Sequence, residues 1–341
     1  MSMETSEWLN TYTLIGNTLT RGNAWHYRES VQGSEPNHYP GFIPVDDVTR
    51  RLFDWEAIES EIFLLDSDGN PVAIPNRKAI VRDDSGEVLG IFKDGYTGHS
   101  YKEWLIENVA SILGDDLGIS SAGLLKNGGQ AWVEVSIPDT ITTPVGFEFR
   151  PNLLAYTSFD GSLATGYGRK IQAVVCDNTL NAARSESGQS FKLRHTKHSG
   201  LKIAEAREAL AIVYTMADEF AAEVARLADW KVSDKSFESL VSELIPTPES
   251  KSGTTLATKK RDAIFALYRN DERAATWNGT ALGVLQAFNT YNHHEAQVRK
   301  GTPRVIRNYE NVIKGKFGAA DDLVMDALMR ITAHDPVTTN A

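Results

Sequence analysis

The feature that most restricts the fold is a change of hydrophobic period along the chain. Between Ile62 and Gly168, apolar residues come in short alternating runs parted by Asp/Gly or Asn/Gly turns. After Gly200 they recur every three or four positions in an Ala-, Glu- and Leu-rich background. A period of two belongs to strands and the longer period to helices. The chain therefore predicts an α+β fold: an antiparallel sheet of hairpins with packed helices, followed by a mainly helical C-terminal region.

The turns set the hairpins. Asp66–Asn70 parts Ile62–Leu65 from Val72–Val81, and Asp83–Gly86 leads into Val88–Phe92. Asn127-Gly128-Gly129 joins Ser121–Lys126 to Gln130–Ile137, and Asp160-Gly161 joins Asn152–Phe159 to Ser162–Gly168. Such turns supply the positive φ that tight hairpins need. Alternation gives Ala131, Val133, Val135 and Ile137 to a core and leaves Trp132, Glu134 and Ser136 on the other face. Helices are expected from Pro44 to Trp55, from Ser100 to Leu113 and from Arg169 to Arg184, with a strand over Phe191–Lys197. Beyond Gly200, helices are expected over Ile203–Trp230, Phe237–Leu244, Leu256–Asn270, Thr280–Glu295, Arg304–Lys314 and Ala319–Ile331, with a Pro/Ser/Thr/Gly linker from Pro246 to Thr255. The organisation read from this is an N-terminal arm and short helix (1–58), an α+β core (59–200), a helical region (201–334) and a disordered tail (335–341).

Charge narrows the function classes. There are 45 acidic residues against 35 basic ones, a formal net charge of −10, so the whole surface does not coat nucleic acid. A local basic groove is compatible with this balance. The one cysteine cannot close an internal disulfide, which suits a reducing, cytoplasmic setting. The first residues lack the charged and apolar regions of a signal peptide, and no apolar run approaches a membrane span.

The sign of the charge reverses locally between Gly166 and Gly200. Arg169, Lys170, Lys192, Arg194 and Lys197 cluster there with His195, opposed by Asp177 and Glu186. This set suits the backbone of single-stranded DNA, with Tyr167, Tyr156 and Phe159 available to stack on bases. The plainer alternative is a solvated basic face. Asn178, Thr179 and Asn181 have poor helix propensity and read as a polar lock that satisfies neighbouring backbone groups. Cys176 beside Val174 and Val175 reads as a small core residue rather than a nucleophile. No catalytic motif is recognisable, so no catalytic residue is assigned. His195 with His198, and His293 with His294, lack metal-ligand spacing, so no metal or other cofactor is expected. Lys259-Lys260-Arg261 and Arg299, Lys300, Arg304, Arg307, Lys314 and Lys316 form a second basic set, available either to nucleic acid or to neighbouring carboxylates.

Four stretches carry a resemblance: Gly22-Asn-Ala-Trp-His26, Val174-Val-Cys-Asp-Asn-Thr-Leu180, Arg194-His-Thr-Lys197, and the run from Trp277 to His293. Together they are similar to the phage/plasmid-like protein family, corresponding to domain of unknown function 932 and carried by actinobacterial phages and plasmids. The likeness runs from about Gly22 to about Phe317, departing from the family pattern in the longer Tyr27–Tyr39 stretch. Its order of strands and helices resembles the core of single-strand annealing proteins, which form rings or filaments on DNA. By that resemblance the expected function is DNA metabolism in the host cytoplasm: binding single-stranded DNA as a homo-oligomer and promoting annealing or recombination. The alternative expectation is a host-directed protein-interaction factor that does not touch DNA.

Overall fold

The computed structural model describes residues 11–22, 29, 34–110, 113, 117–137, 140–173, 179–180, 191–193, 203–300 and 304–333. The chain divides into two compact units. The first takes Met1–Asp139, Asn152–Arg169 and Ser187–Tyr214; the second takes Thr140–Pro151, Lys170–Glu186 and Thr215–Ala341. The fold is α+β, with antiparallel sheets and a mainly helical C-terminal region.

Among the described residues the strands are, in chain order, β1 (Thr13–Ile15), β2 (Ala57–Leu65), β3 (Pro71–Arg82), β4 (Val88–Lys93), β5 (Gly118–Leu125), β6 (Gln130–Ser136), β7 (Ile141–Thr142), β8 (Glu148–Ser158), β9 (Thr165–Ala173), β10 (Thr179–Leu180) and β11 (Phe191–Leu193). The larger sheet runs β1-β5-β6-β8-β9-β10, with β7 paired to β8 and β11 to β9; the smaller runs β2-β3-β4. The hairpins fall where turn chemistry puts them. Leu125 pairs with Gln130 across a turn in which Asn127 and Gly128 both take positive φ, and Gly161 does so between β8 and β9. The Asp160 carboxylate steadies that second turn by accepting the Ser162 amide at 2.9 Å.

In the first unit, Ala131, Val133 and Val135 enter a core with Ala122, Leu124, Leu153 and Ala155. They stand beside one another because β5, β6 and β8 pair Leu124↔Ala131↔Thr157 and Ala122↔Val133↔Ala155. The opposite side of β6 is buried as well: Trp132, Glu134 and Ser136 are all shielded from solvent. Trp132 stands between Gly123 of β5 and Tyr156 of β8. Helix α1 (Val45–Leu52) follows Pro44, keeps Asp46 and Asp47 in its first turn and buries Val48 and Leu52. Helix α2 begins as a π-helix over Lys102–Glu107 and continues over Asn108–Ala110, burying Trp104, Leu105, Ile106 and Val109.

The expected helix at Arg169 is not formed. Arg169–Ala173 continue β9, and Thr179–Leu180 return as β10, paired Thr179↔Gln172 and Leu180↔Ile171. Tyr167, Arg169, Ile171 and Ala173 alternate at a period of two, and ladder pairing on both sides of the strand wins over the weaker helical pattern. Trp8, Trp25, Cys176 and the part of the expected strand beyond Leu193 lie outside the described residues.

The second unit is built on the part of α3 (Ile203–Asp229) from Thr215 onward, with α4 (Asp234–Leu244), α5 (Lys251–Asn270), α6 (Glu272–Ala275), α7 (Ala281–Thr290), α8 (Arg304–Ile313) and α9 (Lys316–Thr332). Phe147 and Phe149 join its core, where Phe149 meets Phe220 edge-on at 4.7 Å. Among the described residues four of these helices are started by side-chain caps: Ser233 accepts the Ser236 amide, Ser250 the Gly253 amide, Asp271 the Arg273 amide and Thr280 the Gly283 amide. The Ser250 cap explains why α5 starts at Lys251, inside the stretch expected to be linker. Thr280→Ala should cost about 1 kcal/mol, read as a lower denaturant midpoint with unchanged slope; Thr280→Ser should retain most of the stability. No helix among the described residues is long and apolar enough to cross a membrane.

Candidate nucleic-acid interface

The site grows out of β9, whose first half is locked into the core of the first unit. Thr165 Oγ1 lies 2.6 Å from His99 Nδ1 and 2.6 Å from Thr157 Oγ1, and the His99 ring stacks on Trp104 with centroids 3.9 Å apart. Two residues on, the Tyr167 hydroxyl donates to the Trp104 carbonyl and accepts from Asn108 Nδ2 at 3.2 Å. Burial pushes this phenol up to about 12. Between them, Gly166 lies against Tyr156, where a Cβ would stand 2.6 Å from the ring. Local alternation thus sends Thr165 and Tyr167 inward while the glycine admits a neighbouring aromatic.

Strand β11 then lies beside that anchored segment. Its register is Phe191↔Tyr167, Lys192↔Gly166 and Leu193↔Thr165. A chain separation of 24 to 28 residues is closed by this pairing, so Lys192 comes beside the strand that carries Arg169 and Lys170. Arg194, His195 and Lys197 follow β11 directly in sequence and lie outside the described residues. So do Asn178 and Asn181 of the polar lock, whereas Thr179 sits on β10 rather than in a helix.

The aromatic part of the expected site is corrected. Tyr167 is 2% exposed, and Tyr156 and Phe159 are buried too. With its hydroxyl bonded within the unit, Tyr167 holds the strand in place and offers no ring to a base.

The second basic set also has structural work. In the second unit, Arg304 Nη1 donates to the Ala296 carbonyl at 2.9 Å, Arg307 Nη1 to Asn292 at 2.7 Å and Asn308 Nδ2 to His293 at 3.1 Å. They tie off the end of the π-helical turn Tyr291–Glu295 that extends α7. Burial and the neighbouring Arg304 lower the pKa of Arg307. Arg261 Nε donates to the Ile245 carbonyl at 2.9 Å, and Lys314 pairs with Glu310. These cations serve helix ends and neighbouring carboxylates.

One feature escaped the sequence reading. Gln286, Asn289, Thr290 and His293 are all buried, forming a polar seam at helical spacing along α7 and its extension. Asn289 Nδ2 donates to both Asp321 oxygens at 3.1 Å, and His293 stacks on Phe317 at 3.8 Å. The spacing 286, 289, 290, 293 was the available signal; polar residues at core-facing intervals are easily taken for a solvent face. Among the described residues no group of three His, Cys, Asp or Glu could hold a metal ion.

One protein-family model, described as Domain of unknown function (DUF932), matches residues 88–312. No curated protein and no solved structure matches the chain. The matched span takes in β5 to β11 of the larger sheet, the strand pair carrying the basic residues and the capped helix α7, which is well over half of the sequence. The chain belongs to that family.

Proposed function

We propose that this protein binds single-stranded DNA as a homo-oligomer and promotes strand annealing or recombination in phage or plasmid DNA metabolism, in the host cytoplasm and without a cofactor. The supporting observation is the register of β11 on β9. It brings Lys192 beside the strand of Arg169 and Lys170, and Arg194, His195 and Lys197 continue from β11. Cations so gathered bind phosphates by releasing condensed counterions, while the net charge of −10 disfavours DNA elsewhere on the surface. With Tyr156, Phe159 and Tyr167 committed to the interior, contact falls on the sugar-phosphate backbone and sequence preference is weak.

Fluorescence anisotropy with a labelled oligothymidine tests this reading. The expected affinity falls steeply with salt, by about 0.7 in the log-log slope for each phosphate contact. The double variant Lys192→Glu, Arg194→Glu should bind at least about tenfold more weakly with a shallower slope. Tyr167→Phe should lower stability and leave affinity unchanged. An oligonucleotide that shows no binding at low salt sinks the proposal.

The apolar, solvent-facing ribbon formed by β2 and β3 favours a second reading, a factor that acts on a host protein without DNA contact. That reading requires a defined host protein bound to the chain at moderate salt, with no anisotropy change.

A further inference from the structure

We propose that the three-stranded sheet β2-β3-β4 is an assembly element, in which the β2 edge of one copy joins the β4 edge of the next. This deepens the oligomeric part of the function proposed above and rests on it. The sheet is open on both sides: among the described residues β2 pairs only with β3, and β4 only with β3. Unpaired strand edges carry rows of free amide and carbonyl groups that accept a further strand.

Its surface is apolar where solvent would be expected to select polar residues. Val81 pairs with Ile58 on one side and Val88 on the other, and Ala79 pairs with Ser60 and Ile91. Ile58, Val88 and Ile91 are exposed, so an apolar row crosses all three strands. Beyond the irregularity at Glu61/Phe63 the hairpin runs on past β4 as two strands, paired Phe63↔Ala73, Leu64↔Val72 and Leu65↔Pro71. Phe63, Leu64, Leu65 and Val72 are each more than half exposed there. A two-stranded ribbon with apolar residues on both faces is marginal in water unless something packs on it.

Charge identifies the occupant as a second copy. The β2 edge is acidic: Glu61 is exposed and makes no ion pair among the described residues, while neighbouring Glu59 is held by Lys78 at 2.5 Å. The opposite edge carries one charge, a cation: Lys93 of β4 stands directly across from Arg77 of the central strand β3, both exposed. Neither Arg77 nor Lys93 makes an ion pair among the described residues, with Asp94 or otherwise. Directly opposed like charges are destabilising and are relieved by an anion. Edges that merely guard against aggregation would carry the same sign and repel; edges of opposite sign attract their counterparts on another copy. Such a head-to-tail contact uses two different surfaces, and it builds a ring or an open filament.

The test is the solution mass of the full chain by light scattering after size exclusion, without DNA. The expected result is a multimer that dissociates as salt rises. Glu61→Lys and Lys93→Glu should each raise the dissociation constant by about tenfold or more. Mixed together, the two variants should reassemble, because each then presents an edge complementary to the other. Reassembly also shows that both are folded. A wild-type chain that runs as a monomer at micromolar concentration overturns the proposal. So does a multimer that both variants leave intact, or a mixture that stays dissociated. DNA is absent from this measurement, so loss of DNA affinity alone would refute the nucleic-acid reading and leave the edge contact standing.

Discussion

Trp132→Ala is expected to cost the first unit about 3–5 kcal/mol, the range for removing a buried aromatic. The indole is fully buried, flanked by Gly123 and Tyr156 on the neighbouring strands, and its Nε1 donates to Ser121 Oγ at 3.3 Å. Its space is created by a missing side chain: a Cβ at Gly123 would stand 2.1 Å from the ring. Gly123→Ala alone should therefore cost about 1–3 kcal/mol by overpacking. In the Trp132→Ala background the same change should be nearly free, because the clashing atoms are gone. Urea unfolding followed by circular dichroism gives all three values for a double-mutant cycle. Additive losses, or a loss below about 1 kcal/mol for Trp132→Ala, would remove the indole from its place at the centre of that sheet.

In the second unit the largest effect is expected at Gly283. A Cβ there would lie 2.2 Å from the Trp277 carbonyl oxygen and 2.7 Å from its carbon, both backbone atoms that cannot swing aside. Relief would have to move the turn that starts α7. That turn is fixed by the Thr280 cap and by the Gly279 amide, which donates to the Tyr268 hydroxyl at 2.7 Å. It also carries Trp277, whose ring packs on Phe147 at 5.3 Å. Gly283→Ala should destabilise by about 3 kcal/mol, at the upper end of overpacking costs, although helix propensity alone favours alanine. A neutral or stabilised variant would mean that the turn and helix do not approach as closely as this.

The two glycines show where the sequence was readable and where it was not. Asn127-Gly128-Gly129 and Asp160-Gly161 announce their hairpins because the requirement for positive φ is local. Gly123 and Gly283 answer close approaches of Trp132 and of the Trp277 backbone, which strand register and the packing of a turn on its helix create, so no turn signal in the sequence marks their role. The same division separates the helices from β9. Val48 and Leu52, or Phe237 and Leu240, repeat on one face and were legible; Arg169–Ala173 fit both periods and were settled by the strands on either side. For the candidate site, the basic composition was visible in sequence, but the pairing of Lys192 with Gly166 depends on a register that only long-range ladders fix. Tyr167 was misjudged for a related reason: an aromatic near cations suggests stacking, whereas its partners, Trp104 and Asn108, are about sixty residues upstream.

The interleaved make-up of the two units bears on how the protein is made. A ribosome delivers Met1–Asp139 first, yet the first unit also requires Asn152–Arg169 and Ser187–Tyr214, with pieces of the second unit emerging between them. The second unit in turn holds Thr140–Pro151 in waiting, and its bond from Trp277 Nε1 to the Val145 carbonyl spans 132 residues. Neither can finish before most of the chain has left the exit tunnel. Closing such long loops slows folding and leaves the hydrophobic strands uncovered for longer during synthesis. The nascent chain is thus a natural client for chaperones, and neither unit can be cut from the gene as one uninterrupted segment.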